Sequence, residues 1–322
     1  FPSAKFTDTA HAHGNPFGVE EIAATKALMG MHDEAFWNPE DVLEHMRAAG
    51  TRNRPAREAW YSMYENWTEN KPVLDAVLEG RGLEGWKDAL PTWEPGESVA
   101  TRAAGKKVLN ALAPVVPGLM GGGADLTGNC GVELDGAEPF SRLNRDGRQI
   151  HFGVREHAMG SVMNGMAAHG GIIPFGGTFF VFADYMRPPV RLAALSDLHV
   201  IYSWTHDSIG VGEDGPTHQP IEHLTALRAI PNLAVVRPAD ANETSYAWLE
   251  ILKRKNAPAG IILTRQNLPV LQRDAASGAQ NVAKGAYVLQ DAGNGKPEVI
   301  LIATGSEVQF AVEARAELES QG

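Results

Sequence analysis

Residues 210–220 read GVGEDGPTHQP and form a loop rich in glycine and proline between an apolar run and a helical segment. The loop carries an acid, Asp214, and an imidazole, His218, and it closely follows His206 and Asp207. Proteins that alternate strands with helices keep their chemistry on loops that follow strands. Four ionisable groups in such a place therefore predict a functional site.

The glycines of this loop, Gly210, Gly212 and Gly215, also match the GxGxxG dinucleotide fingerprint. That motif binds a pyrophosphate only where a helix opens directly on the glycines. Here Pro216 and the two residues after it precede any helical pattern, and no acidic residue ends the next apolar run. The loop is therefore not predicted to bind a nicotinamide dinucleotide.

The chain around the loop alternates apolar runs with helical patterns. Strands are predicted at residues 119–126, 171–174, 199–204, 233–236 and 261–264, and helices at residues 100–113, 156–168, 179–185, 221–228 and 242–254. This alternation predicts an α/β fold, in which a parallel sheet carries helices on both faces. Ligands of such sheets bind beyond the carboxyl ends of the strands, and His206, His218 and Arg265 all follow predicted strands.

Three parts are predicted along the chain: a mainly helical segment at residues 1–97, the α/β domain at residues 98–277, and a partial α/β element at residues 278–322. The last part has one predicted strand, residues 299–304, and one amphipathic helix, residues 307–318. One strand and one helix cannot close a core alone, so we expect the chain to be a piece of a longer protein. The alternative is a complete protein whose termini dock against its body.

The composition is that of an ordinary globular protein, with 322 residues of which 43% are hydrophobic and 21% are charged. The formal net charge is −11, whereas a nucleic-acid or anionic-membrane partner favours a basic face, so neither partner is expected. A single cysteine, Cys130, excludes an internal disulfide and indicates a cytoplasmic protein. No apolar run approaches the roughly 18 residues of a membrane span, and no signal peptide is visible.

Several motifs together resemble the transketolase family. Five are similar to its middle, pyrimidine-binding domain: FGVREHAMG (152–160), GTFFVFADYMRP (177–188), THDSIGVGEDGPTHQP (205–220), RPADANE (237–243) and TRQNLP (264–269). HAHGNPFG (11–18) is similar to the end of the preceding diphosphate-binding domain, and ATGSEV (303–308) to the start of the C-terminal domain. The three predicted parts then correspond to the tail of the diphosphate-binding domain with a helical linker, the pyrimidine-binding domain and the start of the C-terminal domain.

The resemblance implies a thiamine-diphosphate enzyme of the pentose phosphate pathway. Such an enzyme reversibly moves a two-carbon ketol unit from a ketose phosphate to an aldose phosphate through an adduct with the cofactor. The alternatives are another thiamine-diphosphate enzyme, such as dihydroxyacetone synthase or deoxyxylulose phosphate synthase, and a non-catalytic subunit that keeps the fold. The reading GEDGPTHQP favours transketolase over deoxyxylulose phosphate synthase, and intact Glu156, His206 and His218 count against a scaffold.

The resemblance also assigns residues to the cofactor. Glu156 in GVREH matches the activating glutamate, whose carboxyl bonds the aminopyrimidine ring and must be sheltered from water to share or keep its proton. Phe182 and Tyr185 are three residues apart on one helix face and match the positions that pack on this ring. Asp125 matches a residue near the pyrimidine side, although a structural aspartate at a strand end would look the same.

His206 and His218 match imidazoles of the catalytic pocket, where a neutral histidine takes a proton from a donor hydroxyl and returns it. Asp214 matches a residue that hydrogen-bonds a sugar hydroxyl. His13 matches a histidine near the diphosphate and the reacting centre. His11 and His13 also resemble a zinc pair, but two histidines without a third ligand do not predict zinc.

Arg102 and Arg265 match the arginines that bind the substrate phosphate, which a guanidinium fork holds with two hydrogen bonds. Asn129 stands where relatives commonly have a serine that contacts the same phosphate. This departure puts the contact in doubt, although an amide can also donate a hydrogen bond.

In the family the cofactor lies between the diphosphate domain of one subunit and the middle domain of its partner, which implies a homodimer with interfacial active sites. The diphosphate and Mg²⁺ ligands of the family belong to a glycine–aspartate segment upstream of residues 11–18, and no counterpart of that segment occurs here. We therefore expect His13 and Glu156 of one chain to serve different sites.

We predict that this chain alone binds thiamine diphosphate weakly, because it lacks a counterpart of the diphosphate-binding segment. Calorimetric titration of the cofactor with Mg²⁺, into the chain and into the full-length protein, measures the difference. Binding by the chain alone that is as tight as binding by the full-length protein would contradict the prediction.

Overall fold

The computed structural model describes residues 2–293 and 295–321, so Phe1, Asn294 and Gly322 lie outside the described residues. The chain divides into two compact units, Phe1–Glu69 and Asn70–Gly322. Within the described ranges, no helix is both long and apolar enough to cross a membrane.

The first unit is helical. Its helices are α1 (His11–Gly14), α2 (Val19–Met29), α3 (Glu40–Arg52) and α4 (Arg54–Asn66). Helix α2 has Glu20 and Glu21 in its first turn, where the positive end of the helix dipole favours acids. It ends at Gly30, whose φ of 62° is the left-handed conformation that terminates many helices. The prediction of a mainly helical N-terminal segment is confirmed.

The second unit contains the strands. They are β1 (Ser98–Ala100), β2 (Leu119–Gly123), β3 (Gln149–His151), β4 (Ile173–Phe179), β5 (Ile201–Thr205), β6 (Ala234–Val236), β7 (Ala259–Leu263) and β8 (Asn267–Pro269). Its α-helices are α5 (Lys71–Leu78), α6 (Thr101–Leu112), α7 (Glu156–His169), α8 (Arg187–Leu195), α9 (His223–Arg228), α10 (Ala241–Lys253) and α11 (Val308–Ser320). Short 3-10 helices span Trp86–Ala89, Phe180–Met186, Ile209–Val211, Pro216–His218, Ala279–Lys284 and Gly305–Glu307.

Six of these strands form one parallel sheet in the order β3–β2–β4–β5–β7–β6. Strands β1 and β8 form a separate antiparallel pair, with Val99 opposite Leu268. Every residue of β4, β5 and β7 is buried, as expected for parallel strands that are covered on both faces. The predicted parallel α/β fold is confirmed.

Two apolar layers lie on opposite faces of the sheet, because successive side chains of a strand point to opposite sides. On β5, Ile201 belongs to the layer that includes residues of α6 and α10, whereas Tyr202 and Trp204 belong to the layer that includes residues of α7 and α8. On β7, Ile261 and Ile262 divide between the layers in the same way.

The predicted strand at residues 299–304 is wrong. This segment is irregular, and Val299, Ile300 and Ile302 are 66%, 75% and 90% exposed. A strand forms its backbone hydrogen bonds with a neighbouring strand, and no strand of the described residues pairs with this segment. The helix predicted at residues 307–318 is present as α11, but none of its described residues is buried.

The predicted helix at residues 179–185 is also wrong in type and start. Phe179 is the last residue of β4, and Phe180–Met186 form a 3-10 helix that leads into α8. A 3-10 helix rises about 2.0 Å per residue against about 1.5 Å for an α-helix, so seven residues reach further between the strand and α8.

A buried ion pair fixes the segment that follows β8 to the start of α10. Asp240 Oδ1 accepts a hydrogen bond from the Glu243 backbone N at 2.9 Å and so caps α10. Arg273 pairs with Asp240 and, at 3.1 Å, with Glu243, and the side chains of Arg273 and Asp240 are 7% and 0% exposed. Burial disfavours the charge of Arg273, but the Asp240 carboxylate and the Tyr287 hydroxyl beside the guanidinium raise its pKa.

We predict that Gly260→Ala lowers the free energy of unfolding by about 1–3 kcal/mol. A Cβ atom on Gly260 would lie 2.1 Å from the ring of Trp204, which is fully buried and cannot move aside. Gly165→Ala is the control, because no atom lies within 4 Å of the added Cβ in α7. Alanine should raise the stability there by about 0.5–1 kcal/mol. Urea unfolding measures both changes, and equal stability of the two variants would contradict the prediction.

Candidate active site

Three predicted site residues follow the carboxyl ends of strands in the parallel sheet. Asp125 comes two residues after β2, His206 directly after β5, and Arg265 two residues after β7. Asp125 and His206 adopt left-handed backbone conformations, with φ of 69° and 65°. Such conformations are uncommon for residues with a side chain, and strain of this kind concentrates at functional sites.

The glycine loop is held by short-range contacts and tight turns. The Gly210 backbone N donates to Ser208 Oγ at 3.2 Å, at the start of the first 3-10 turn. Gly212 and Gly215 have φ of 86° and 76°, which glycine adopts without steric cost. The 3-10 turn Pro216–His218 follows them and α9 begins only later, so no helix opens on the glycines. This geometry does not fit a dinucleotide-binding loop.

A row of aromatic rings borders the site. The ring of Tyr185 stacks with Phe182 at a centroid distance of 5.8 Å, and Phe182 stacks with Phe179 at 6.0 Å. Phe179 in turn stacks on His206 at 3.6 Å, and His218 meets Phe182 edge-on at 5.5 Å. The structure thus brings both imidazoles and both predicted ring-packing residues into one cluster.

His206 is nearly inaccessible to water, at 2% exposure, and Thr205 Oγ1 lies 2.9 Å from its Nδ1 atom. Burial, together with the positive charge of Arg102, lowers the pKa of His206 to about 4, although Asp214 opposes the shift. The ring is therefore uncharged at neutral pH. It suits hydrogen bonding to a substrate better than the transfer of a proton near pH 7 that the resemblance implied.

The two predicted phosphate arginines lie close enough to influence each other. Burial and the charge of Arg265 lower the pKa of Arg102. Arg102 Nη1 donates to the backbone carbonyl of Asn129 at 2.9 Å, so Asn129 orients the arginine through its backbone. Arg265 forms an ion pair with Glu213, whose side chain is 73% exposed. An exposed pair of this kind is weak, so it leaves Arg265 available to another anion.

Glu156 is the first residue of α7 and is 8% exposed. Its carboxylate has no hydrogen-bond or ion-pair partner among the described residues. A carboxylate without a donor at a largely buried position is open to a ligand that brings an N–H group.

The other predicted residues are more exposed. Asp125, Asn129 and Asp214 are exposed at the surface of the second unit, and Asp214 is close enough to influence the pKa of His206. His13 belongs to the first unit, where it lies exposed on α1.

Sequence reasoning missed Arg237, which follows β6 by one residue and opens the motif RPADANE. Its side chain is 7% exposed and pairs with Asp207, directly after His206. The sequence offered one signal for this residue, an arginine at the end of an apolar strand. A charge in that place is expected to be buried, and a buried charge needs a partner of opposite charge.

Sequence profiles of one family match the chain in three places. The profile of the transketolase pyrimidine-binding domain matches residues 97–270, which is more than half of the chain. The profile of the transketolase thiamine-diphosphate-binding domain matches residues 1–85, and that of the transketolase-like C-terminal domain matches residues 285–322. The chain therefore belongs to the transketolase family.

Individual proteins agree with this assignment. The transketolase of Mycobacterium tuberculosis is 51% identical over 336 residues, which cover 98% of this chain and 48% of that protein. A transketolase of Pichia stipitis, solved in complex with sedoheptulose 7-phosphate, has a TM-score of 0.87 and 40% identity over 96% of this chain and 47% of that chain. The transketolase of Leishmania mexicana has a TM-score of 0.86 and 42% identity, covering 96% and 46%. The chain spans about half the length of these relatives.

We predict that His206 stays uncharged down to a pH of about 5. An unfolded histidine titrates near pH 6.5, so between about pH 6.5 and 4 the unfolded chain binds the proton that the folded chain refuses. The contribution of His206 to the free energy of unfolding therefore falls as the pH drops, by up to about 3 kcal/mol.

The charged and titratable groups that act on this ring are Arg102, Asp214, Arg265 and His218. NMR titration of the imidazole measures the pKa of His206 directly. In His206→Gln the loss of stability on acidification should be smaller than in the wild type. A ring that titrates above pH 6 would refute the prediction.

Proposed function

We propose that this chain carries the pyrimidine-side part of a thiamine-diphosphate active site and that the protein is a transketolase. The reaction is the transfer of a two-carbon ketol unit from a ketose phosphate to an aldose phosphate. The observation that carries the proposal is the cluster of Arg102, His206, His218 and Arg265 at the carboxyl edge of a family-matched sheet. The names of the similar proteins favour this activity over a dihydroxyacetone synthase or a non-catalytic subunit.

The residues that would hold the cofactor fit an aminopyrimidine ring. Glu156 offers a carboxylate that lacks a donor, and such a ring supplies nitrogen-bound hydrogen. Phe182 and Tyr185 offer aromatic faces, and Tyr185 is 64% exposed and so available to a ring from outside. Bound thiamine diphosphate supplies the carbon acid chemistry that cleaves and forms bonds beside a carbonyl group.

We assign two kinds of contact with the substrate, ionic contacts from arginines and a hydrogen bond from His206. Arg102 and Arg265 bind the sugar phosphate, Arg265 by exchanging Glu213 for the phosphate. His206, uncharged in its buried position, hydrogen-bonds the sugar without competing for the phosphate charge.

Proton transfer falls to the other imidazole. His218 has Thr217 Oγ1 at 2.9 Å from Nδ1, which leaves its Nε2 atom to exchange a proton with a sugar hydroxyl. Asp214 binds a hydroxyl group and reads its stereochemistry. Asp125 lies on the pyrimidine side of the cofactor.

The assembly is proposed as a homodimer in the cytoplasm, working in the pentose phosphate pathway. In this arrangement Glu156 of one subunit and His13 of the other complete one active site. The accompanying Mg²⁺ would be held by ligands outside the described residues. Within those residues, one group of three possible ligands lies together, Asp184, Glu222 and His223, and Asp184 is already paired with Arg187.

The test is ketol transfer by the full-length protein, with and without thiamine diphosphate, in the wild type and in Glu156→Ala. We predict that the variant loses at least about 100-fold in kcat while its thermal unfolding is nearly unchanged, because an active-site acid contributes to rate rather than to the core. Glu20→Ala is the control, since Glu20 is an exposed acid in the first turn of α2. A near-normal rate for Glu156→Ala would overturn the assigned role, and a wild type without cofactor-dependent transfer would overturn the function.

A further inference from the structure

A buried polar network begins at Asp207, the residue that follows His206 in the sequence, and none of the roles proposed above uses it. Asp207 has a side chain that is 0% exposed, and its Oδ2 atom accepts from Arg237 Nη2 at 2.5 Å and from Arg237 Nε at 3.1 Å. Ser306 Oγ has one hydrogen to donate and lies 2.8 Å from the same oxygen, with Glu307 Oε1 as the alternative acceptor at 2.9 Å. Three donors therefore converge on one carboxylate oxygen, which fixes the position of Asp207.

The same guanidinium binds the C-terminal segment, residues 304–307. Arg237 Nη1 donates to the Thr304 carbonyl at 2.9 Å, and Arg237 Nη2 donates to Glu307 Oε1 at 3.0 Å. The Gly305 backbone N donates to the Arg237 carbonyl at 3.1 Å. A Cβ on Gly305 would lie 2.5 Å from the Arg237 side chain, so the segment packs directly on the arginine.

The network continues into the active-site imidazole through one peptide bond. His206 has a φ of 65°, a conformation that a non-glycine residue keeps only where its surroundings impose it. Phe179 at 3.6 Å and Thr205 Oγ1 at 2.9 Å hold the ring itself. The next residue along the backbone, Asp207, is held in turn by Arg237 and Ser306.

We propose that Asp207 is a positioning residue for His206, and that residues 304–307 act through Ser306 and Arg237 to set the geometry of the active-site imidazole. The C-terminal segment then has a part in substrate binding without touching the substrate. The proposal rests on the proposed function in one respect, namely that His206 contacts the sugar.

A second buried serine donates to an aspartate away from these site residues, and it separates positioning from the simple loss of a buried hydroxyl donor. Its partner Asp274 is exposed, whereas the side chain of Asp207 is 0% exposed. Ser277 is 5% exposed and donates through Oγ to Asp274 Oδ1 at 2.8 Å, whereas Ser306 is 2% exposed and donates to Asp207 at 2.8 Å. Ser306→Ala and Ser277→Ala therefore each remove one buried hydroxyl donor from an aspartate. Of the two aspartates, Asp207 is the one that follows a predicted site residue.

The experiment compares both variants in the full-length protein. We expect Ser306→Ala to shift the NMR signals of the His206 ring and to raise its acid titration midpoint, because a looser ring admits water. We expect kcat/KM for ketol transfer to fall about tenfold, mostly through KM. Ser306→Thr, which keeps the hydroxyl group, should restore both. Ser277→Ala should leave the His206 signals and the kinetics unchanged. If Ser306→Ala does not fold, Glu307→Gln, which changes an exposed partner of the same guanidinium, takes its place.

The outcomes distinguish this proposal from the function on which it rests. His206 signals that are the same in Ser306→Ala and the wild type would overturn the positioning role, whatever the kinetics show. Shifted signals in a protein without ketol transfer would support positioning and overturn the proposed function. Equal effects of Ser306→Ala and Ser277→Ala on the ring would reduce the network to a contribution to stability and overturn the proposal.

Discussion

The candidate site depends on one constraint, namely that three neighbouring parallel strands end at the same position in their register. Phe179, Thr205 and Leu263, the last residues of β4, β5 and β7, stand opposite one another in the hydrogen-bonded register. The chain therefore leaves all three strands at the same height, and the groups that follow them meet at one edge. A slip of one residue would turn every side chain of a strand to the other face of the sheet, so the buried apolar layers enforce this register.

The site is locally cationic in an acidic protein. The chain has a formal net charge of −11, yet Arg102 and Arg265 act on the same buried imidazole. Their charges suit a phosphate, and together with burial they keep His206 uncharged at neutral pH. The same two arginines therefore supply positive charge for a phosphate and help burial to keep the His206 ring uncharged. Proposed proton transfer falls to His218, whose ring meets Phe182 edge-on.

The C-terminal segment shows that a motif can be present while its predicted local structure is not. Residues 303–308 carry a family motif, and Ser306 and Glu307 bind Arg237 as side chains of a docked turn. The apolar residues just before them were predicted as a strand and are irregular, since strand formation requires a partner strand as well as an apolar sequence. The motif thus reflects side-chain contacts with the α/β unit, which no local pattern predicts.

The sequence by itself determined the alternation of strands and helices, and hence a parallel sheet with ligand groups beyond its carboxyl ends, because apolar periodicity and glycine placement are local properties. Through its family motifs it also indicated which histidines and arginines to examine. Only the tertiary structure decided that His206 is buried and uncharged, that Arg265 meets Glu213, and that Arg237 joins Asp207 to a segment 69 residues further on. Burial, electrostatic shifts and long-range ion pairs depend on which residues become neighbours, and that is fixed when the layers pack.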